Sequence, residues 1–95
     1  ATLYGVVAES GEVEQPEEPC QIFYVQEMNI PVYEPELSKA LSYLMPKDRE
    51  IILLYYFKGL KDAKIALLVH MGVSTVSRRR RAATKRLREL IENAT

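Results

Sequence analysis

Hydrophobic residues recur at steps of three and four through the second half of the chain, a spacing typical of amphipathic helices. Between Lys61 and Val69 this spacing marks one buried face of a short helix. The pattern breaks at residues 70–72 and then resumes for about five turns at 3.6 residues per turn. The apolar positions of this longer stretch are Val73, Val76, Ala83, Leu87 and Leu90. The pattern therefore predicts a helix, a turn and a second, longer helix.

Two more helical segments precede this pair. A first short helix is predicted over Glu36 to Leu44, where Leu37, Ala40, Leu41 and Leu44 have helical spacing. Pro46 suits the first turn of a second helix, where its missing N–H costs nothing. Gly59 is placed to end that helix in a left-handed conformation. We assign its apolar residues to the core rather than to a stacking platform for single-stranded nucleic acid: Ile51, Leu54, Tyr55, Tyr56 and Phe57.

The first third of the chain has a different pattern. Two runs, Leu3 to Ala8 and Gln21 to Gln26, are rich in aromatic and branched residues and favour β-strands. They are candidates for pairing with each other across an acidic, proline-containing loop. A flexible arm is the favoured interpretation, because an isolated two-stranded ribbon is only marginally stable in water. The alternative is that Ile22, Phe23 and Tyr24 dock onto the helices or onto a partner.

These patterns predict a mainly α fold with one small core. Pro31 and Pro35 indicate a kinked extended segment, because proline disfavours helix in the residue before it. We therefore expect an acidic N-terminal arm over residues 1–34, carrying the two short β-prone runs. A four-helix domain containing a helix-turn-helix is expected over residues 35–95.

Charge is distributed unevenly along a chain whose formal net charge is zero. Residues 1–36 contain eight carboxylates and no Lys or Arg, whereas residues 37–95 contain thirteen basic and five acidic residues. This asymmetry is typical of nucleic-acid binding with an acidic interaction tail. Cys20 is the only cysteine, which excludes an internal disulfide and a cysteine-rich zinc site. No apolar run is long enough to span a membrane. We expect a soluble protein of the reducing cytoplasm.

The longer helix has a basic face opposite its apolar one. At about 100° per residue, Ser74, Arg78, Arg81, Lys85 and Arg88 fall together. A run of arginines is most often a solvated face, but here it begins one turn into the second helix of a helix-turn-helix, where side chains reach base edges. The candidates for reading bases are Ser74, Thr75, Ser77, Arg78 and Arg79. The candidates for phosphate contacts are Arg81, Lys85 and Arg88. Arg80 faces inward, and its stem is expected to cover the core while its head reaches solvent.

The same stretch resembles region 4 of the sigma-70 family of bacterial RNA polymerase sigma factors. The residues that carry the resemblance are Gly59-Leu60, Ile65-Ala66, Val73, Thr75-Val76, Ala83 and Leu87-Arg88-Glu89-Leu90, preceded without a gap by Leu44 to Phe57. Together they extend over Leu37 to Ile91. The chain departs from the family at Lys61-Asp62, where Ser or Thr is usual, at His70 in place of Gly, at Gly72 in place of a polar cap, and at Arg80 in place of an aliphatic residue.

The resemblance implies recognition of a promoter −35 element in duplex DNA. It also implies contact with the β flap of RNA polymerase through the first two helices. Nothing in residues 1–36 resembles the region that melts the −10 element. We therefore expect a stand-alone region-4-like regulator, of the kind carried by conjugative transposons, that works with a partner.

Other classes of function fit the sequence less well. His70 has no second ligand at a metal-binding spacing. The basic domain contains no phosphate loop, carboxylate pair or nucleophile with its base, so we expect neither an enzyme nor a bound cofactor or metal. The main alternative is an interaction module that binds RNA polymerase or a sigma factor, with DNA contact secondary. The oligomeric state stays open.

Overall fold

The computed structural model describes residues 18–93, together with the backbone of two short strands upstream. In chain order the elements are β1 (Thr2–Leu3), β2 (Val6–Val7), β3 (Gln21–Val25), β4 (Met28–Val32), α1 (Pro35–Ser42), α2 (Pro46–Ile52), a π-helical turn (Leu53–Phe57), α3 (Asp62–Val69) and α4 (Val73–Asn93). The mainly α, four-helix prediction is confirmed. The acidic loop predicted between the two β-prone runs lies outside the described residues, apart from Glu18 and Pro19.

The strands pair locally. β1 pairs with β2, and β3 pairs with β4 in an antiparallel hairpin whose register places Phe23 opposite Ile30. The two β-prone runs, which were candidates for pairing with each other, each pair locally in the described residues. The hairpin turn is Gln26-Glu27, with φ of 50° and 62°. Such turns usually contain Asn or Gly, which tolerate positive φ, so the usual sequence signal for this hairpin is missing.

The hairpin packs against the helices through one face. Side chains alternate along β3 and β4, and the inward set is buried: Phe23, Val25, Ile30 and Val32. Ile22 and Tyr24 point outward and are 56% and 69% exposed. Of the three residues considered for docking onto the helices, only Phe23 is buried. At the turn, Gln26 Nε2 donates to Glu50 Oε2 at 2.8 Å and to the Leu68 carbonyl at 3.2 Å, which ties the hairpin to α2 and α3.

Proline and glycine set the limits of the first two helices. Pro35 and Pro46 each occupy a first-turn position, as expected for Pro46. The π-helical turn extends α2, and Gly59 follows it with a φ of 69°, which confirms the predicted left-handed residue. Phe57 is buried, and Tyr55 and Tyr56 are partly buried against the core, as predicted.

The helix-turn-helix consists of α3, residues 70–72 and α4. Ile65, Ala66 and Val69 are buried on α3, and α4 contributes Val76, Ala83 and Leu87 to the same core. Val73, expected on the apolar face, is instead 51% exposed because it begins α4 beyond the edge of the core. His70 ends α3 with φ 60° and ψ 46°, so its backbone is left-handed although it is not a glycine.

We expect His70→Gly to leave the domain at least as stable, with a gain of up to about 1 kcal/mol in the free energy of unfolding. A left-handed backbone is strained for a residue with a Cβ, whereas glycine adopts it freely. Glycine also makes the unfolded chain more flexible, which offsets part of the stability gained by relieving the strain. Chemical denaturation of both proteins measures the difference. His70→Ala is the control, since it removes the imidazole but keeps the Cβ. A clear loss of stability in both variants would show that the imidazole itself stabilises the turn.

Candidate nucleic-acid interface

The outward face of α4 carries cations over four turns. Ser74, Arg78, Arg81, Lys85 and Arg88 are all exposed. They lie on the side of the helix opposite its three buried residues, as the helical period requires. The structure therefore brings together five of the eight residues predicted to contact DNA, along one unbroken helix.

The other three predicted residues lie on the flanks of this face. Thr75 and Ser77 are partly buried. Ser77 Oγ accepts a hydrogen bond from Arg81 Nη1 at 2.9 Å, which orients that guanidinium along the helix. Arg79 turns towards α2, where its Nη1 donates to Asp48 Oδ1 at 3.1 Å. The two side chains of this ion pair are 44% and 26% exposed, so solvent screens it and it is weak.

Arg80 forms a two-point ion pair between the two helices of the motif. Its Nε and Nη2 donate to Asp62 Oδ1 and Oδ2 at 2.8 and 2.9 Å, a bidentate pair. The guanidinium also lies over the Tyr55 ring, 4.1 Å from the ring centre. The two side chains of the ion pair are only 16% and 19% exposed. The expectation that the Arg80 head reaches solvent is therefore wrong, because a carboxylate on the first turn of α3 meets it first.

This ion pair was not predicted. The one signal in the sequence was that Arg80 falls on the inward side of α4, where a covered guanidinium needs an acceptor. Asp62 lies 18 residues away, so no local pattern pairs the two residues.

The ion pair shifts the pKa of both partners. The hydrogen bonds from Arg80 hold the pKa of the Asp62 carboxyl below its ordinary value of 3.8, although partial burial acts in the opposite direction. The same hydrogen bonds raise the pKa of Arg80 above its ordinary value. Because the pKa of Asp62 is lower in the folded state, the pair stabilises the fold above the unfolded pKa of about 3.9. This contribution is lost as the pH falls through the folded pKa.

We expect Asp62→Asn to lower the free energy of unfolding at pH 7 by about 1–2 kcal/mol, because it removes a charge-assisted hydrogen-bonded pair. The difference from the unmodified chain should be constant from pH 7 to 5 and shrink as the pH falls below about 3.9, because the unfolded chain then binds a proton that the folded carboxylate still resists. Urea denaturation at pH 7, 5 and 3 measures it. Asp48→Asn is the matched control: it breaks the more exposed pair with Arg79 and should cost less than about 1 kcal/mol. A loss from Asp62→Asn that is independent of pH would contradict the electrostatic explanation.

Comparison with known proteins identifies this arrangement. Residues 35–87 match the family model described as Sigma-70, region 4. The matched segment is more than half of the chain. The chain belongs to the sigma-70 region 4 family. Among curated proteins and solved structures, no significant match is found. Region 4 domains are regulatory domains of transcription that bind DNA and contact RNA polymerase.

The matched segment contains α1, α2, α3 and most of α4. The β3–β4 hairpin precedes the matched segment. Within the part of the chain that the structure describes, no helix is long and apolar enough to cross a membrane.

Proposed function

We propose that this region 4 domain binds duplex DNA sequence-specifically, as a regulator that recognises a promoter element of the −35 type. The observation that supports this function best is the exposed basic face of α4, the second helix of the helix-turn-helix. In such motifs the second helix lies in the major groove, and its N-terminal residues contact base edges.

The proposed face divides along its length. Ser74, Thr75, Ser77, Arg78 and Arg79 lie in the first two turns and are the proposed base-reading residues. Arg81, Lys85 and Arg88 lie farther along, where a helix leaving the groove meets the backbone, and are the proposed phosphate contacts. Because its ion pair with Asp48 is weak, Arg79 can release the Asp48 carboxylate and contact DNA instead.

Contact with RNA polymerase is proposed through the first two helices, with the β flap as the partner. Tyr43 and Met45, between α1 and α2, are 64% and 69% exposed, although both are large apolar residues. Exposed apolar side chains of this kind favour a protein partner. They also support the second candidate, an interaction module that binds polymerase or a sigma factor while DNA contact is secondary. Either function places the protein in the cytoplasm, where transcription takes place.

Selection of duplexes from a random pool, with and without RNA polymerase core enzyme, tests the proposal. A single enriched sequence motif in both arms is the expected result. Enrichment only with polymerase would favour the second candidate, and no enrichment in either arm would contradict sequence-specific binding. Salt gives an independent test, because each phosphate contact lowers the logarithm of affinity by about 0.9 per logarithmic unit of salt. An apolar protein interface responds little.

A further inference from the structure

A basic cleft opens between the π-helical turn and the middle of α4. Its volume is about 210 Å³, and its lining consists of Tyr56, Arg80, Arg81, Thr84, Lys85 and Arg88. None of the lining residues is acidic. Arg80 is already balanced by Asp62, whereas Arg81, Lys85 and Arg88 are exposed cations. The cleft therefore concentrates positive charge beside two side-chain hydroxyls.

The hydroxyl of Tyr56 has a proton available for a ligand. Thr84 Oγ1 donates its only proton to the backbone carbonyl of Arg80, at 2.8 Å. Thr84 can then act only as an acceptor towards Tyr56, and the two oxygens lie 3.4 Å apart. That distance is long for an O–H···O hydrogen bond, which is usually about 2.7–2.8 Å. The Tyr56 proton is therefore held weakly and can turn towards the cleft.

We propose that this cleft binds a phosphate group, and that Tyr56 donates a hydrogen bond to it between Arg81, Lys85 and Arg88. The inference rests on the proposed function, because the three cations also belong to the DNA-facing side of α4. The phosphate is then one of the DNA backbone, in the strand that lies beside the π-helical turn. Tyrosine is among the side chains that proteins use for such contacts, which position the protein without reading sequence. Tyr56 thereby joins the interface from an element outside the helix-turn-helix.

The first test is the affinity of Tyr56→Phe for duplex DNA. A net hydrogen bond contributes about 0.5–1.5 kcal/mol, so we expect binding to weaken about two- to tenfold, alike on all sequences. The salt dependence should stay unchanged, because tyrosine carries no charge. Arg88→Ala, by contrast, should lower the salt slope by about one.

Two controls separate ligand binding from packing. Thr84→Val removes the contact with Tyr56 but leaves the tyrosine proton. It should therefore weaken DNA binding less than Tyr56→Phe does. Tyr24→Phe alters an exposed tyrosine on the outward face of β3, outside the cleft, and should bind like the unmodified chain. Equal losses from Tyr56→Phe and Thr84→Val, or no loss from Tyr56→Phe, would overturn the proposal.

A scan of single phosphates locates the contact directly. Methylphosphonate, which is uncharged, is placed at each backbone position of a bound duplex in turn. We expect one position at which the unmodified chain loses affinity and Tyr56→Phe loses clearly less. The same loss for both proteins at every position would contradict the contact.

Inorganic phosphate distinguishes the cleft from the proposed function. If the unmodified chain bound no duplex, the proposed DNA-binding function would be wrong. Millimolar inorganic phosphate should still shift the backbone amide NMR signals of Tyr56, Thr84 and Lys85. Arg88→Ala should reduce these shifts. Signals that do not move would overturn the phosphate site itself.

Discussion

Phe23→Ala should lower the free energy of unfolding by about 3–5 kcal/mol, although Phe23 lies upstream of the segment that matches the family. Its ring is 7% exposed and packs within the shared core, with the Arg49 guanidinium 5.8 Å from its centre. A loss of this size is a large fraction of the total stability of a small domain, about 5–15 kcal/mol. Urea denaturation followed by far-UV circular dichroism measures it.

The adjacent residue provides the matched control. Tyr24 is on the same strand but points outward, so Tyr24→Ala should change stability by no more than about 0.5 kcal/mol. Equal effects of the two substitutions would show that the hairpin does not pack on the helices in solution.

The packing of the hairpin on the helices also changes where the folded domain is expected to begin. The sequence patterns predict an arm over residues 1–34 and a domain over residues 35–95. We now propose that the folding unit begins near Cys20, because β3 and β4 bury four side chains against the helices. A chain starting at residue 35 should lose cooperative unfolding, whereas one starting at residue 18 should keep it.

Arg78→Ala should weaken binding to the selected duplex by about 1–3 kcal/mol and relax specificity at one base pair. Arg78 is exposed one turn after Ser74, near the start of α4, and a guanidinium there can donate two hydrogen bonds to guanine O6 and N7. Its side chain points away from the core, so the fold should be unaffected. Affinity is measured on the selected and on scrambled duplexes at two salt concentrations.

Lys85→Ala is the comparison on the same face. Lys85 is exposed about two turns farther along, where we propose a phosphate contact. Its loss should weaken all duplexes alike and reduce the salt slope by about one. Equal losses from Arg78→Ala on both duplexes would make Arg78 a phosphate contact and shift base reading to Ser74, Thr75, Ser77 or Arg79.

The helical half of this protein follows from local patterns in the chain. The spacing of apolar residues identified all four helices, because the period of a helix is a local property of the chain. Gly59 marks the left-handed helix end that the sequence indicated. The basic face of α4 follows from the same period, so the sequence alone indicates the residues proposed to contact DNA.

Which distant residues meet depends instead on long-range packing. The sequence does not indicate β4, because the strand contains Pro31 and the turn before it has neither Asn nor Gly. Burial against the helices stabilises this hairpin, which would be only marginally stable alone. Arg80 was assigned a solvent-facing head because no local pattern points to Asp62, and Arg79 meets Asp48 across 31 residues. Tyr56 likewise lies beside Thr84, 28 residues away, only because α2 and α4 pack together. Helical periodicity reports the environment of a face, whereas the identity of a partner depends on how the helices pack.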